Sequence, residues 1–252
     1  MSKPHYYSVF MSTVNATDDE KKYIQRYTYI SLFINKLVHY RSQYPIILGH
    51  QNTSPSLVLD DFLFLGNFQH ALDVELLEQL KIGHILNVCD FKLSEKIYEK
   101  FKVIEIPLMD ATYVNIKQHF DRTNALLHDI FLKKERCLVH CAAGVSRSAT
   151  IVLAYLMKYH HETLELAFHS LMDKRPQIFP NEGFLLQLIR YERELIKSKE
   201  INQNEENLNI SDGKENIQDI ISDDQTNKNP IETVEEFTEK HDIHTSTFNN
   251  KI

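Results

Sequence analysis

Short apolar runs alternate with longer amphipathic stretches over the middle of the chain. The runs have the length of β-strands, whereas the stretches repeat apolar residues every three or four positions, which is typical of helices. The predicted strands are residues 57–59, 62–65, 84–89, 102–106 and 137–140, and the predicted helices are residues 73–81, 116–133, 148–159, 164–174 and 182–197. Gly83 suits the end of the first helix, while Asn115, Thr163 and Asn181 suit the N-terminal caps of later ones. This alternation predicts an α/β fold, in which a central sheet has helices on both faces.

Residues 1–54 form an N-terminal extension with an amphipathic pattern of its own. Between residues 21 and 38 apolar side chains recur at steps of three and four, as expected for one face of a helix that Asp18 or Asp19 would begin. Two interpretations stay open. The helix packs on the body of residues 55–198, or it docks a protein partner or a membrane surface.

Residues 199–252 are rich in Asn, Glu and Asp and have no sustained apolar period. They contain 13 acidic and five basic residues, a net charge of −8, in a chain of 252 residues whose net charge is −7. Because such a composition buries too little apolar surface to offset the entropy lost on ordering, we expect a disordered tail. The acidity of the whole chain therefore says little about its partners.

Composition also bears on the location of the protein. No stretch approaches the roughly 18 to 20 apolar residues of a membrane helix, and residues 1–5 have neither an apolar signal core nor the Gly that myristoylation needs. The three cysteines do not make a disulfide framework. We therefore expect no transmembrane segment and a reducing compartment, the cytoplasm with the nucleus as a second location.

The most specific pattern is the segment of residues 139–148, Val-His-Cys-Ala-Ala-Gly-Val-Ser-Arg-Ser. Five residues separate Cys141 from Arg147, and the segment lies between a predicted strand and a predicted helix. A tight loop in that position directs its N–H groups and the positive end of the helix at one point, which makes an anion site. A thiol there ionises readily, and an arginine can bind two oxygens of a phosphoryl group.

This segment resembles the Cys-x5-Arg signature loop of the cysteine-dependent phosphatases, and more narrowly that of the atypical dual-specificity protein phosphatases. The resemblance extends from about residue 56 to residue 197. Residues 175–184, Arg-Pro-Gln-Ile-Phe-Pro-Asn-Glu-Gly-Phe, with Gln187 and Leu188 are similar to the segment that closes this fold, and residues 64–66 and 85–88 are similar to its first hairpin and a central strand. The resemblance implies a central mixed, mostly parallel five-stranded sheet flanked by helices, with the catalytic domain at residues 55–198.

The resemblance also implies hydrolysis in two displacements through a phosphocysteine intermediate. Cys141 is then the nucleophile, and Arg147 binds the phosphoryl oxygens and takes up charge in the transition state. His140 orders the loop by hydrogen bonding, and Ser148 offers its hydroxyl to the departing sulfur. The phosphate is bound by the loop residues Ala142, Ala143, Gly144, Val145, Ser146 and Arg147.

The general acid must come from elsewhere, because the loop contains no carboxylate. Residues 104–110 have the pattern of a strand that ends in a loop with Asp110, and this position matches the acid-bearing segment of the family. Asp110 would protonate the leaving oxygen and then activate a water molecule. Glu105, inside the strand pattern, is the alternative carboxylate.

Cys89 ends the strand that is predicted to run beside the one leading to Cys141. In the related lipid-phosphatase branch a cysteine at a similar place forms a reversible disulfide with the nucleophile, so we hypothesise that oxidation links Cys89 to Cys141. The alternative is a small buried apolar residue. The histidines form no metal set with the cysteines and the mechanism requires no metal or cofactor, so neither is predicted.

The side chains of the loop indicate the class of substrate. Enzymes that act on phosphoinositides are expected to place lysines there, whereas this loop has Ala142, Ala143, Val145 and Ser146. We therefore expect phosphotyrosine, phosphoserine and phosphothreonine on proteins, with a mitogen-activated protein kinase as one candidate, and no nucleic-acid partner. The alternatives are a phosphatase of a lipid, RNA or sugar phosphate and a pseudophosphatase scaffold that binds phosphoproteins.

Overall fold

The computed structural model describes residues 14–29, 53–161 and 163–221. The chain divides into two compact units, Met1–Ile201 and Asn202–Ile252, and the sheet lies in the first. None of the helices in the described residues is both long and apolar enough to cross a membrane.

A five-stranded sheet forms the centre of the first unit. Its strands are β1 (Ser56–Leu59), β2 (Leu63–Gly66), β3 (Ile82–Asn87), β4 (Lys102–Glu105) and β5 (Arg136–His140), in the order β1-β2-β5-β3-β4. β1 pairs with β2 in the antiparallel sense, and the other neighbours are parallel. The predicted mixed, mostly parallel sheet is confirmed. Because β5 is central, the chain that leaves it emerges between the ends of β2 and β3.

The helices begin ahead of the sheet and continue between and after its strands. They are α1 (residues 18–29), α2 (Phe68–Leu72), α3 (Val74–Gln79), α4 (Glu95–Lys100), α5 (Phe120–Leu132), α6 (Arg147–Tyr159), α7 (Leu164–Lys174) and α8 (Glu182–Ile221), with a 3-10 turn at Lys117–His119. The sequence pattern missed α2 and α4, since helices of five and six residues are too short to show a period.

Helices cover both faces of the sheet. In β5, Cys137 and Val139 belong to an apolar cluster that includes residues of α5 to α8, whereas Leu138 belongs to a second cluster with residues of α2 to α4. Burial on both faces accounts for the continuous apolar runs of the parallel strands. Every residue of α6 from Arg147 to Met157 is buried, so this helix, which follows the Cys141 loop, is enclosed on all sides over most of its length.

Three of the four predicted helix-end residues act as caps. The Thr163 hydroxyl accepts from the N–H of Leu166 at 3.2 Å, and the Asn181 and Asn115 side chains accept equivalent bonds at α8 and the 3-10 turn. The prediction for Gly83 was wrong, because Gly83 lies within β3. Lys81 instead takes the left-handed conformation, at φ +54°, where the chain turns from α3 into the strand.

Helix α8 extends beyond its predicted end at residue 197. It continues to Ile221, through residues that were expected to belong to the disordered tail. Residues 198–221 contain no proline, so no residue in this stretch lacks the backbone N–H that a helix needs. Residues 222–252 of the predicted tail lie outside the described residues.

Helix α1 packs on the body through its apolar face. Ile24 and Tyr27 are buried, and the Tyr27 ring lies 4.8 Å from that of Phe168 on α7. The buried Glu20 carboxylate accepts from Arg190 at 3.2 Å and from Arg193 at 2.8 Å. The first of the two interpretations therefore describes residues 18–29, whereas residues 30–38 of the predicted helix lie outside the described residues.

We expect Glu20→Gln to lower the free energy of unfolding by about 1–2 kcal/mol at pH 7, because it weakens both charge-assisted bonds from partly exposed arginines. Burial alone would raise the pKa of Glu20, but the bonds from Arg190 and the N–H of Thr17 hold it below its ordinary value. The stabilisation is therefore present above the carboxyl's unfolded-state pKa and is lost as the pH falls through the folded-state pKa.

Urea denaturation at pH 7 and pH 3.5 checks this prediction. The difference between wild type and Glu20→Gln should shrink at the lower pH. Asp18→Asn, which removes an exposed ion pair with Lys21, is the control and should change stability much less than Glu20→Gln does. An equal effect of the two variants would contradict the role assigned to Glu20.

Candidate active site

The loop between β5 and α6 has its carbonyl groups bonded to the surrounding scaffold. Backbone N–H groups hold three of these carbonyl oxygens: Phe68 donates to Ala142 (3.1 Å), Phe179 to Val145 (2.8 Å) and Thr150 to Ser146 (2.9 Å). The Arg175 side chain holds the other two, with Nη2 donating to Ala143 (3.5 Å) and Nε to Gly144 (2.7 Å). A peptide unit whose carbonyl is held outward presents its N–H inward. The loop, here called the cradle, therefore has the peptide orientation that the anion-binding prediction requires.

Arg175 is the residue of this scaffold that the sequence did not single out. It is fully buried between α7 and α8 and holds two successive loop carbonyls, while its third nitrogen donates to the Ser56 hydroxyl at 3.3 Å. Burial lowers the pKa of Arg175 to about 10, and the nearby Cys141 thiolate favours its charged form. Arg175 is thus a cation at neutral pH that supports the loop from behind.

Gly144 is required by the shape of the loop. Its φ is +68°, and a Cβ there would lie 2.4 Å from the carbonyl oxygen of Gly66 and 2.6 Å from Arg175 Nη2. A side chain would therefore displace either β2 or the supporting arginine. The N–H of Gly144 donates to Cys141 Sγ at 3.2 Å, so the turn is part of the site itself.

Cys141 lies at the base of the cradle and is almost fully buried. Burial by itself raises the pKa of this thiol, but hydrogen bonds from the Ser148 hydroxyl and from the N–H groups of Ser148, Val145 and Gly144 outweigh it. The net result is a pKa below the ordinary value for cysteine. The Ser148 hydroxyl is 3.1 Å from Sγ, in the place expected for a residue that stabilises the departing thiolate.

Arg147 is the first residue of α6, and its guanidinium is held by two other loops. Nη1 donates to the carbonyl oxygen of Leu108 at 2.8 Å and lies 3.4 Å from Asp90 Oδ1, while Nε lies 3.6 Å from Asp110 Oδ2. Nε is buried and makes no hydrogen bond to any group of the described residues. This donor is therefore available to an anion in the cradle.

Asp110 is positioned by two side chains from other elements. Its Oδ1 accepts from the Ser146 hydroxyl and from Asn181 Nδ2, both at 2.8 Å. Ser146 leads into α6, yet its side chain does not cap that helix. The N–H groups at the start of α6 are thus not bonded to the Ser146 side chain, and its hydroxyl joins the cradle to Asp110 instead.

Helix α8 holds the Asp110 loop from the other side. A Cβ on Gly183 would lie 1.9 Å from the carbonyl oxygen of Thr112, so only glycine permits this approach. Gln187 donates from Nε2 to the carbonyl oxygen of Val114 at 2.8 Å and accepts from the N–H of Lys117 at 2.9 Å. The first two turns of α8 therefore fix the position of the loop.

The alternative carboxylate, Glu105, is not part of this arrangement. It is exposed on β4 and accepts from the hydroxyl of Tyr98. Asp110, whose side chain is about one-third exposed, lies near Arg147 and is bonded to Ser146 of the loop. Asp90 also lies near Arg147, but within the described residues its carboxylate is not bonded to Ser146.

His140 lies directly behind the loop and is fully buried. Its Nδ1 donates to the carbonyl oxygen of Cys141 at 3.4 Å. Burial lowers the pKa of His140 to about 4, with a further contribution from His70, so the ring is neutral at physiological pH. This geometry fits the predicted loop-ordering role, which stays a prediction.

Cys89 follows β3 and is buried beside the site. Its thiol donates to Asn87 Oδ1 at 3.2 Å, and burial raises its pKa. Cys89, Cys137 and Cys141 are all free thiols. The regulatory disulfide between Cys89 and Cys141 stays a prediction. Within the described residues no group of three or more His, Cys, Asp or Glu side chains could hold a metal ion.

Comparison with known proteins agrees with this site. The family model of the dual specificity phosphatase catalytic domain matches residues 63–194. The chain belongs to this family. It is 41% identical over 133 residues to dual specificity protein phosphatase 18 of Rattus norvegicus, which covers 53% of this chain and 65% of that protein. It is 40% identical over 131 residues to human dual specificity protein phosphatase 22, at coverages of 52% and 70%.

A solved structure supports the same family assignment. Human DUSP28 has a TM-score of 0.54 and 29% identity, over 57% of this chain and 99% of that one. The resemblance to atypical dual-specificity phosphatases is therefore confirmed. The matched part of this chain covers about two thirds of the length of the rat protein.

We expect Asp110→Asn to lower kcat by about 10²- to 10⁴-fold, the usual contribution of a positioned acid–base group. Binding of tungstate, a phosphate analogue, should be nearly unchanged, because the amide oxygen can still accept from Ser146 and Asn181. Steady-state hydrolysis of an aryl phosphate and tungstate inhibition measure the two effects. Glu105→Gln is the control and should keep near-normal turnover. A near-normal rate in Asp110→Asn would remove this assignment.

Ser148→Ala should raise the pKa of Cys141, because it removes the largest interaction that favours the thiolate. Since the thiolate is the reactive form, the pH profile of Cys141 alkylation by iodoacetamide should move to higher pH. The matched control is Ser146→Ala, whose hydroxyl bonds to Asp110 and Asn181 rather than to sulfur. If only the control moved the profile, the role of Ser148 would be wrong.

Proposed function

We propose that this chain is a cysteine-dependent protein phosphatase that hydrolyses phosphotyrosine and phosphoserine or phosphothreonine on proteins. One observation carries the proposal. A thiol of lowered pKa, the unbonded Nε of Arg147 and the Asp110 carboxylate all converge on one cradle of inward N–H groups. The thiol serves the attack on phosphorus, the Arg147 guanidinium stabilises the charge, and the Asp110 carboxylate transfers the proton.

In the first displacement the Cys141 thiolate attacks phosphorus while the bond to the leaving oxygen breaks. Asp110 donates its proton to that oxygen, and Arg147 with the loop N–H groups binds the equatorial oxygens. Asp110 Oδ1 already accepts two hydrogen bonds, so Oδ2 is the oxygen that carries the proton. The product is a phosphocysteine.

In the second displacement water attacks the phosphocysteine and Asp110 takes one of its protons. The sulfur–phosphorus bond breaks, and inorganic phosphate and the Cys141 thiolate are formed. The Ser148 hydroxyl, 3.1 Å from Sγ, stabilises the thiolate as it departs. Asp110 is protonated again, which restores the starting state.

The neutral side chains of the loop favour proteins as substrates. Ala142, Ala143 and Val145 offer no cation to additional phosphates, so a polyphosphorylated lipid or a triphosphate would leave charges unpaired. A mitogen-activated protein kinase is one candidate substrate. Because a thiolate nucleophile requires a reducing compartment, the proposal includes a cytoplasmic or nuclear location.

Substrate trapping tests the proposal. Asp110→Ala and Cys141→Ser keep the cradle but block turnover, so they should retain phosphoproteins from a cell lysate and release them with orthovanadate. The control is Asp110→Ala combined with Arg147→Ala, which lacks the main phosphate-binding side chain and should retain none. Hydrolysis and retention of lipid, RNA or sugar phosphates alone would overturn the proposal, as would a wild-type enzyme without Cys141-dependent activity.

A further inference from the structure

The turn that follows β3 is organised by one buried amide. Asn87 is 1% exposed, its Nδ2 donates to the carbonyl oxygen of Phe91 at 2.8 Å, and its Oδ1 accepts from the N–H of Cys89 at 3.0 Å. These bonds tie the two ends of the turn together. The residues near its tip, Asp90 and Phe91, are thereby held in defined directions although both are half exposed.

Phe91 is linked to the cradle through two neighbouring residues, Asp90 and Phe68. Its neighbour Asp90 lies 3.4 Å from Arg147 Nη1. Its own ring packs edge to face on that of Phe68, with 5.6 Å between the centroids. Phe68 is bonded through its N–H to the carbonyl oxygen of Ala142, the residue after the nucleophile.

The two rings come from opposite sides of the strand that leads to Cys141. Phe68 follows β2 and Phe91 follows β3, and these strands flank β5 in the sheet. The rings nevertheless meet, and Phe68 also lies 6.3 Å from the ring of His140. The pair therefore spans the end of β5 next to the first residues of the phosphate loop.

Half of the surface of Phe91 remains exposed in this position. A phenyl ring that is fixed by its neighbours and still faces solvent loses little conformational freedom on binding, so it contributes more of its contact energy. The group that would contact Phe91 is the side chain of the substrate residue that bears the phosphate. A phenyl ring of the substrate could pack on it, whereas the single methylene of phosphoserine reaches little of its surface.

We propose that Phe91, supported by Phe68, is a specificity-determining residue that packs against the ring of phosphotyrosine. It makes this site favour aryl phosphates over the phosphates of serine and threonine. This inference rests on the proposed phosphatase function and deepens it. Phe91 takes no part in the chemical steps, so it acts on the binding of the substrate rather than on the reacting atoms.

The test compares Phe91→Ala and Phe91→Leu with wild type on two peptides of one sequence, phosphorylated on tyrosine or on threonine. For the tyrosine peptide kcat/KM should fall by about fivefold to tenfold in Phe91→Ala, the size of an aromatic pair interaction, mainly through KM. The leucine variant should lie between. For the threonine peptide both variants should stay within about twofold of wild type.

Two controls separate this effect from a general loss. Phe131→Ala removes a ring of similar exposure on α5 and should change neither peptide's kinetics. Inhibition by inorganic phosphate reports on the cradle and should be unaltered in Phe91→Ala. Equal changes for both peptides, no change for either, or weakened phosphate inhibition would overturn the inference. An inactive wild type would instead overturn the proposed function, so the two failures are distinguishable.

Discussion

The catalytic arrangement depends on the orientation of a few peptide groups in the loop of residues 141–147. Their carbonyl groups must all face the scaffold if their N–H groups are to converge on the phosphate. Each of the carbonyls from Ala142 to Ser146 has a donor outside the loop or in the next turn of helix. Those donors belong to elements far apart in the chain. The β2–α2 junction, the α7–α8 segment and α6 must therefore all fold before the loop can exist.

Electrostatics follow from that orientation. A thiol that is almost completely buried would normally become a weaker acid, yet Cys141 has a lowered pKa because four hydrogen bonds favour its anion. Arg175 adds a buried positive charge behind the same loop. Arg147 is meanwhile held by Leu108 and lies close to Asp90 and Asp110. The site is thus organised before a ligand arrives, which is the condition for strong transition-state stabilisation.

The sequence predicted those parts of the molecule whose signal is local. Strand and helix positions followed from periodicity, and the bounds of α7 were predicted correctly. Cys141, Arg147, Ser148 and the loop were contiguous, and Asp110 followed a strand that ended at the same edge. Gly83 and the end of α8 were misjudged, because a lysine rather than a glycine takes the left-handed turn before β3, and the sequence beyond residue 197 has no sustained apolar period to indicate a helix.

Contacts between distant segments left no such signal. Arg175 stands in the sequence as one more charged residue before a proline, and only the fold brings it to loop carbonyls 31 and 32 residues earlier. Asn181 was predicted as a helix cap and does cap α8, but its second bond, to Asp110, crosses 71 residues. Gly183 likewise has no local signal, because only the fold shows that a side chain at this position would meet the carbonyl oxygen of Thr112. Support of a site is a property of tertiary packing, so local patterns cannot indicate it.

The order of the strands explains how one sheet edge serves binding, catalysis and selectivity. β5 leads into the cradle, β4 leads to Asp110, and the chain after β2 and β3 brings Phe68 and Phe91 together near the end of β5. Arg147 contacts Asp90 in the loop after β3, and Leu108 and Asp110 in the loop after β4. It therefore joins the loop that carries Phe91 to the loop that carries Asp110. A change in either loop therefore alters the position of this guanidinium relative to a bound phosphate. Under the two proposals, residues that never touch the phosphate alter which phosphoester is hydrolysed without altering the nucleophile.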